Sequence, residues 1–129
     1  MPVLMFHKDV YLPARAQKPC HTGLLQYSRH ALRAGRERGV DLARLPKTIP
    51  LPHARVVEAE LDDTTGEVYK QVWRFAYDPQ WDLVMPVLFS GLVTTVWFNR
   101  SDDLHVTLCR ERYVCDPSWE QKLAPRLYG

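Results

Sequence analysis

The sequence has little of what several common protein classes require. Only three of its 129 residues are cysteines, Cys20, Cys109 and Cys115, and they contain no Cys-x-x-Cys spacing. An odd count leaves one thiol unpaired in any disulfide scheme, which favours a reducing compartment and disfavours a zinc site. No apolar run approaches the roughly 20 residues of a membrane span, and the N-terminal MPVLMFHKD is too short for a secretory signal. We therefore expect a cytoplasmic protein with no membrane partner.

Several motifs that carry chemistry are also missing. The sequence has no glycine-rich phosphate loop, no nucleophile elbow and no HExxH motif. Their absence argues against nucleotide-hydrolysing, esterase and zinc-protease activities. The histidines His7, His21 and His53 lie in irregular segments without metal-ligand spacing to one another. We therefore expect no cofactor and no metal.

The charge is small in total but unevenly distributed. The net charge is +2, yet residues 1–60 carry ten Lys and Arg against five Asp and Glu, whereas residues 61–129 carry seven against ten. Arginines concentrated in one part of a nearly neutral chain indicate a local surface for anions, such as phosphate. The other interpretation, that these arginines only solvate a helix, stays open.

Strand-forming residues dominate the stretch from Val68 to Leu108. Val, Trp, Phe, Tyr and Thr fill its apolar runs, and short turn signals such as Ser90-Gly91 separate them. The mixed-polarity segment Ala54–Leu61 adds a preceding strand. The pattern predicts strands near 54–61, 67–77, 81–88, 92–98 and 104–109.

The polar residues of the second predicted strand fall on one side. Side chains alternate along a strand, so Lys70 and Arg74 share one face, while Trp73 and Phe75 lie on the other. We expect the aromatic face to pack on a helix and the cationic face to be the more open one. A one-residue slip would invert this assignment.

The residues before the strands have a helical period. From Thr22 to Arg38 an apolar stripe recurs at helical spacing, either Thr22 or Ser28 caps the start, and Gly39 is a natural stop. Residues 1–21 read as an extended arm with a β-like run at Val3–Phe6.

Together these elements predict one domain over residues 1–129, with a core at 22–113 and a tail at 114–129. The fold class expected is α+β, with an N-terminal helix or helices packed on one face of a four- to five-stranded antiparallel meander sheet.

A series of short patterns also carries a resemblance to a known family. The run SRHALRAGRERGV at 28–40 and a strand after it precede the patterns Lys70-x-x-x-Arg74, Tyr77-Asp78, Asp82-Leu83-Val84, Thr94-Thr95-Val96-Trp97-x-Asn99 and Asp103-x-His105-x-Thr107-Leu108. In order and spacing, residues 27–113 resemble the DUF4258-type proteins. Those are similar to the RelE/ParE and colicin-like (BECR) metal-independent ribonuclease toxins. The resemblance implies a helix-plus-sheet fold and a ribonuclease, or a relative that binds without cutting.

Metal-independent RNA cleavage needs a base, an acid and cations around the phosphorane. His105 is the candidate acid or base, since histidine titrates near neutrality, and an exposed strand histidine is its alternative role. Lys70 and Arg74 are candidates for clamping phosphate. Their alternative role is cross-strand pairing with Glu58, Glu60 or Asp82.

Further site residues complete the prediction. His30 is either a packing histidine or the partner of His105 in an acid and base pair. Trp97 either stacks on a nucleobase or belongs to the core. Hydroxyl and amide groups are candidates for orienting phosphate or base, unless they only fill the sheet face: Thr95, Asn99 and Thr107.

Two functions from different classes remain. The first is a small metal-independent endoribonuclease toxin that acts on RNA and has a cognate antitoxin. The second is a non-catalytic interaction module, of phage or mobile-element type, that binds a host protein through the arm, the Pro46–Pro52 loop and the tail.

Overall fold

The computed structural model describes residues 3–103 and 110–120, and over these residues the chain is mostly sheet. It has one α-helix, α1 (Arg29–Glu37), and three short 3-10 turns at Ala14–Gln17, Leu42–Arg44 and Arg110–Arg112. The strands are β1 (Val3–His7), β2 (Gln26–Tyr27), β3 (Arg55–Asp62), β4 (Val68–Ala76), β5 (Trp81–Leu88), β6 (Leu92–Val93) and β7 (Trp97–Arg100).

These strands form one seven-stranded mixed sheet in the order β1-β3-β4-β5-β6-β2, with β7 also paired to β5. The pairs are antiparallel except for β2 with β6, which is parallel. The expected α+β fold, a helix on a four- to five-stranded antiparallel meander, is therefore wrong. The reason is that β1 and β2 both precede α1 in the chain and join the sheet.

The three long strands were located well by their residue types, and β3, β4 and β5 lie where the sequence predicts strands. The predicted β run at Val3–Phe6 is also confirmed as β1. The predicted strand 92–98 divides into β6 and β7, because Ser28 Oγ donates to the Thr94 carbonyl and Arg38 donates to the Val96 carbonyl. The predicted strand 104–109 lies outside the described residues.

The helix begins later than predicted. Residues Gln26–Tyr27 pair with β6 rather than continuing the helical period, so tertiary pairing overrides the local preference. Ser28 is the cap, and its Oγ accepts the Ala31 N–H at 2.9 Å. The end is as predicted: Gly39 has a φ of 85° and follows the last helical turn.

The helix packs on the aromatic face of the sheet, as predicted. Trp73 and Phe75 lie in one buried cluster with Leu25 and with Ala31 of α1. Leu32, which was expected in the same cluster, is only half-buried.

A buried glutamine ties the N-terminal segment to this core. Gln71 of β4 is fully buried, and its Nε2 donates to the carbonyls of Ala16 at 2.8 Å and Lys18 at 2.5 Å. Its Oε1 accepts the Cys20 N–H at 2.8 Å and Trp73 Nε1–H at 3.2 Å. All four hydrogen-bonding positions of the amide are therefore used inside the protein.

The opposite face of the sheet is not open where it was expected to be. A second buried cluster of Val57, Val72 and Val84 lies there, with Trp97 packed against it. Arg74 emerges among these residues and is only 2% exposed. The expectation of an open cationic face is therefore wrong at Arg74, because apolar neighbours enclose its side chain.

Candidate nucleic-acid interface

Arg74 is held by a buried ion pair. Its Nε donates to Asp82 Oδ2 at 2.7 Å, and both side chains are less than one tenth exposed. Its Nη2 donates to the carbonyl of Arg100 at 2.8 Å, beyond the end of β7. The pairing with Asp82 that the sequence left as an alternative is therefore confirmed, and Arg74 links β4, β5 and the turn after β7.

Lys70 is also paired across strands. Its Nζ lies 3.5 Å from Glu60 Oε2, and the lysine side chain is 30% exposed. Glu60 and Lys70 are direct partners in the register of β3 and β4. The cross-strand alternative is therefore confirmed here as well, although this lysine keeps contact with solvent.

The predicted acid and base residues lie in different parts of the chain. His30 is exposed on the first turn of α1, so it is not a packing histidine. His105 and Thr107 lie outside the described residues. Their pairing with His30 stays a prediction.

The residues predicted to orient the substrate lie at the start and middle of β7. Thr95 Oγ1 accepts a hydrogen bond from Arg38 at 3.3 Å. Trp97 is half-buried, so one part packs on the second cluster while another part reaches the surface. Asn99 is half-buried opposite Asp82 in the β5–β7 register. Of the three, Thr95 and Trp97 adjoin a surface groove.

An aromatic groove lies where β7 meets the end of α1. It has a volume of about 520 Å³ and is lined by Arg38, Trp81, Trp97 and Phe98. Trp81 is 38% exposed, and its ring centroid lies 6.0 Å from that of Phe98. Arg38 reaches the groove by donating to the Val96 carbonyl at 2.5 Å. The groove thus joins π faces to one cation.

The aromatic row continues away from the groove. Tyr77 contacts Phe98 edge to face, with centroids 4.9 Å apart. The Arg44 guanidinium lies 3.8 Å from the centre of the Tyr77 ring and donates to the Tyr77 carbonyl at 2.5 Å. A second cation therefore closes the far end of the row.

An arginine stripe covers the solvent side of α1. Arg29, Arg33 and Arg36 are exposed and recur at i, i+4 and i+7, so they lie on one side of the helix. The opposite side buries Ala31, Ala34 and Gly35. Among the described residues, none of the three arginines forms an ion pair.

Sequence reasoning recognised the helix arginines but missed the groove. Trp81 and Phe98 were treated only as strand residues, since alternation does not show which aromatic side chains reach the sheet edge. The signal for Trp81 was its place directly after the Asp78-Pro79-Gln80 turn, where Asp78 Oδ1 accepts its N–H at 2.8 Å. A strand's first residue beside a turn is commonly solvent-exposed.

Other reactive groups do not add to this site. Burial raises the pKa of the Cys20 thiol to about 11, so Cys20 is a poor nucleophile at neutral pH. Within residues 3–103 and 110–120, no group of three or more His, Cys, Asp and Glu side chains is arranged to hold a metal ion. In the same ranges, no helix has the length and apolar character needed to cross a membrane.

Comparison with known proteins gives no match to a family model, to a curated protein or to a solved structure. The resemblance to DUF4258-type proteins therefore stays a prediction.

Proposed function

We propose that this protein binds single-stranded RNA through the arginine stripe of α1 and the adjoining aromatic groove. The observation that carries the proposal is the stripe itself: three exposed arginines on one helix side, with no acidic partner among the described residues. Phosphate groups along an RNA strand would supply the missing negative charge.

The stripe is unfavourable for the helix on its own. Like charges at i and i+4 destabilise a helix by about 0.2–0.5 kcal/mol per pair, as Arg29 and Arg33 do here. Arg29 also stands in the first turn, where α1 has no acidic residue and where the helix dipole favours anions. A bound polyanion would offset both effects, which supports a phosphate-binding role.

The groove indicates which kind of RNA is bound. Bases stack on aromatic side chains only when they are not enclosed in a duplex, and such stacking contributes about 1–3 kcal/mol per base. Trp81 and Trp97 present their rings beside Arg38, so a base can stack while its phosphate meets the guanidinium. This combination supports single-stranded RNA over a duplex.

Fluorescence anisotropy with a labelled 12-nucleotide RNA tests the proposal. Replacing Arg29, Arg33 and Arg36 together by Gln should weaken binding and lower the salt slope by about 2, from roughly 0.7 per phosphate contact on a single strand. Trp81→Ala should weaken binding about 5- to 150-fold at every salt concentration. Arg100→Gln, an exposed arginine paired with Asp102, is the matched control and should leave affinity unchanged.

Equal affinity of the triple variant and the wild type would refute the proposal. So would stronger binding to a duplex than to the single strand. Incubating the purified protein with total RNA in EDTA then tests the predicted metal-independent cleavage. If cleavage occurs, His30→Ala and His105→Ala should slow it by about 10²–10⁴ while binding persists. If none occurs, the protein is an RNA-binding protein without the predicted nuclease activity.

A further inference from the structure

A second pocket lies at the end of the sheet where β3, β4 and β5 meet, and none of the predicted site residues belongs to it. It has a volume of about 350 Å³ and is lined by Asp62, Thr65, Glu67, Val68, Tyr69 and Phe89. We call it the carboxylate pocket. Its walls combine two acidic side chains with two aromatic rings.

The aromatic wall is open to solvent. Phe89 is 58% exposed, although it directly follows the buried strand β5. Its ring centroid lies 6.0 Å from that of Tyr69, with the rings tilted by 42°, and the Phe89 N–H donates to the Tyr69 carbonyl at 3.1 Å. The backbone thus holds an apolar surface in place that water covers poorly.

The acidic wall is ionised and already oriented. Asp62 Oδ1 accepts the backbone N–H groups of Thr64 at 2.8 Å and Thr65 at 2.9 Å. These bonds lower the pKa of the Asp62 carboxyl below its usual range. The Glu67 N–H donates to Thr65 Oγ1 at 3.2 Å, so the turn also fixes the second acidic residue.

Neither carboxylate has a cation of its own within the described ranges, where no ion pair involves Asp62 or Glu67. The arginine that reaches this turn, Arg15, donates to the Gly66 carbonyl at 3.4 Å and lies 3.5 Å from Glu120. Its guanidinium also stacks over Trp119 at 5.4 Å. Arg15 is therefore directed to the other side of the turn.

We propose that the carboxylate pocket binds an arginine side chain from a partner protein. A guanidinium is planar, so it can lie flat on Phe89 while its N–H groups reach a carboxylate. An ammonium can form the ion pair but not the flat stack. Charge complementarity thus selects a basic occupant, and the exposed ring selects arginine over lysine. This inference is independent of RNA binding, since it uses different residues.

Nuclear magnetic resonance titration tests the inference with the peptide acetyl-Gly-Arg-Gly-amide. Amide signals of Thr65, Glu67 and Phe89 should shift, with a dissociation constant in the millimolar range expected for so few contacts. The same peptide with citrulline in place of arginine, which keeps the shape and removes the charge, should bind much more weakly. The lysine peptide should bind with lower affinity than the arginine peptide.

Two variants separate the two walls of the pocket. Glu67→Gln and Phe89→Ala should each weaken arginine binding about two- to fivefold, the range of an exposed cation–π or ion-pair contact. Glu120→Gln and Leu24→Ala are the matched controls, since they change an exposed carboxylate and an exposed apolar residue elsewhere. The proposal is overturned if the pocket signals do not shift, if citrulline or lysine binds as well as arginine, or if the controls weaken binding equally.

Discussion

The buried pair of Arg74 and Asp82 gives the strongest test of how the structure changes the interpretation of the sequence. The residue was expected to clamp phosphate, and its replacement was expected to weaken RNA binding without unfolding the protein. Arg74 is instead 2% exposed and bonded to Asp82 at 2.7 Å. We predict that Arg74→Met acts mainly on folding.

The magnitude follows from the contacts that are lost. Removing one partner of a buried ion pair costs about 3–5 kcal/mol, because the other charge stays buried without compensation. Here Arg55 lies 3.4 Å from the same Asp82 oxygen and supplies part of that compensation. We therefore expect the low end, about 3 kcal/mol, which lowers Tm by roughly 10–15 °C for a domain of this size.

Urea and thermal unfolding followed by circular dichroism measure this change. Arg55→Ala is the matched control: its side chain is 53% exposed, so its loss should cost less than about 1 kcal/mol. The double variant Arg74→Met with Asp82→Leu should recover part of the lost stability, since it leaves no unpaired buried charge. A double-mutant cycle then gives the coupling between the two side chains.

A different outcome would restore the earlier interpretation. If Arg74→Met melts within about 2 °C of the wild type while RNA affinity falls, the side chain acts on a ligand rather than on the fold. Equal stability of Arg74→Met and the double variant would show that the pair with Asp82 does not carry the effect.

Two further predictions concern the core and the β3–β4 turn. Gln71→Leu should lower the free energy of unfolding by at least about 3 kcal/mol in urea, since four buried groups lose their partner; an equal loss in the exposed control Gln80→Leu would contradict this. Because bonding to backbone N–H groups lowers the Asp62 pKa in the folded state, its contribution to stability is present above the unfolded pKa of about 3.9 and is lost as pH falls through the lower folded pKa. Asp62→Asn should therefore reduce the acid-induced loss of stability below about pH 4, whereas Asp102→Asn should not.

The fold was predictable where a strand's own residues decide its structure. β3, β4 and β5 are long, rich in β-branched and aromatic side chains and bounded by turns, so residue type and spacing located them. β2 was not predictable in this way. It has two residues, and a parallel pairing with β6, more than 60 positions along the chain, decides its conformation.

The candidate site shows the same limit. Alternation along β4 correctly separated Arg74 from Trp73, because it depends only on sequence spacing. It did not show that the face of Arg74 is covered, since that depends on Val57 and Trp97 from other strands. Burial of a charged residue is a tertiary property, and the acidic partner in the sequence, Asp82, was the available signal for it.

This contrast also decides which arginines are candidates for ligand binding. A guanidinium that donates to a carboxylate and to two carbonyls, as Arg74 does, has little capacity left for a phosphate. The arginines of the α1 stripe are exposed, stand at the same side of one helix and repel one another. Binding an anion therefore relieves an existing repulsion on α1, whereas at Arg74 it would first have to break a buried ion pair. For this reason the helix, rather than the sheet face, is where an RNA strand should bind.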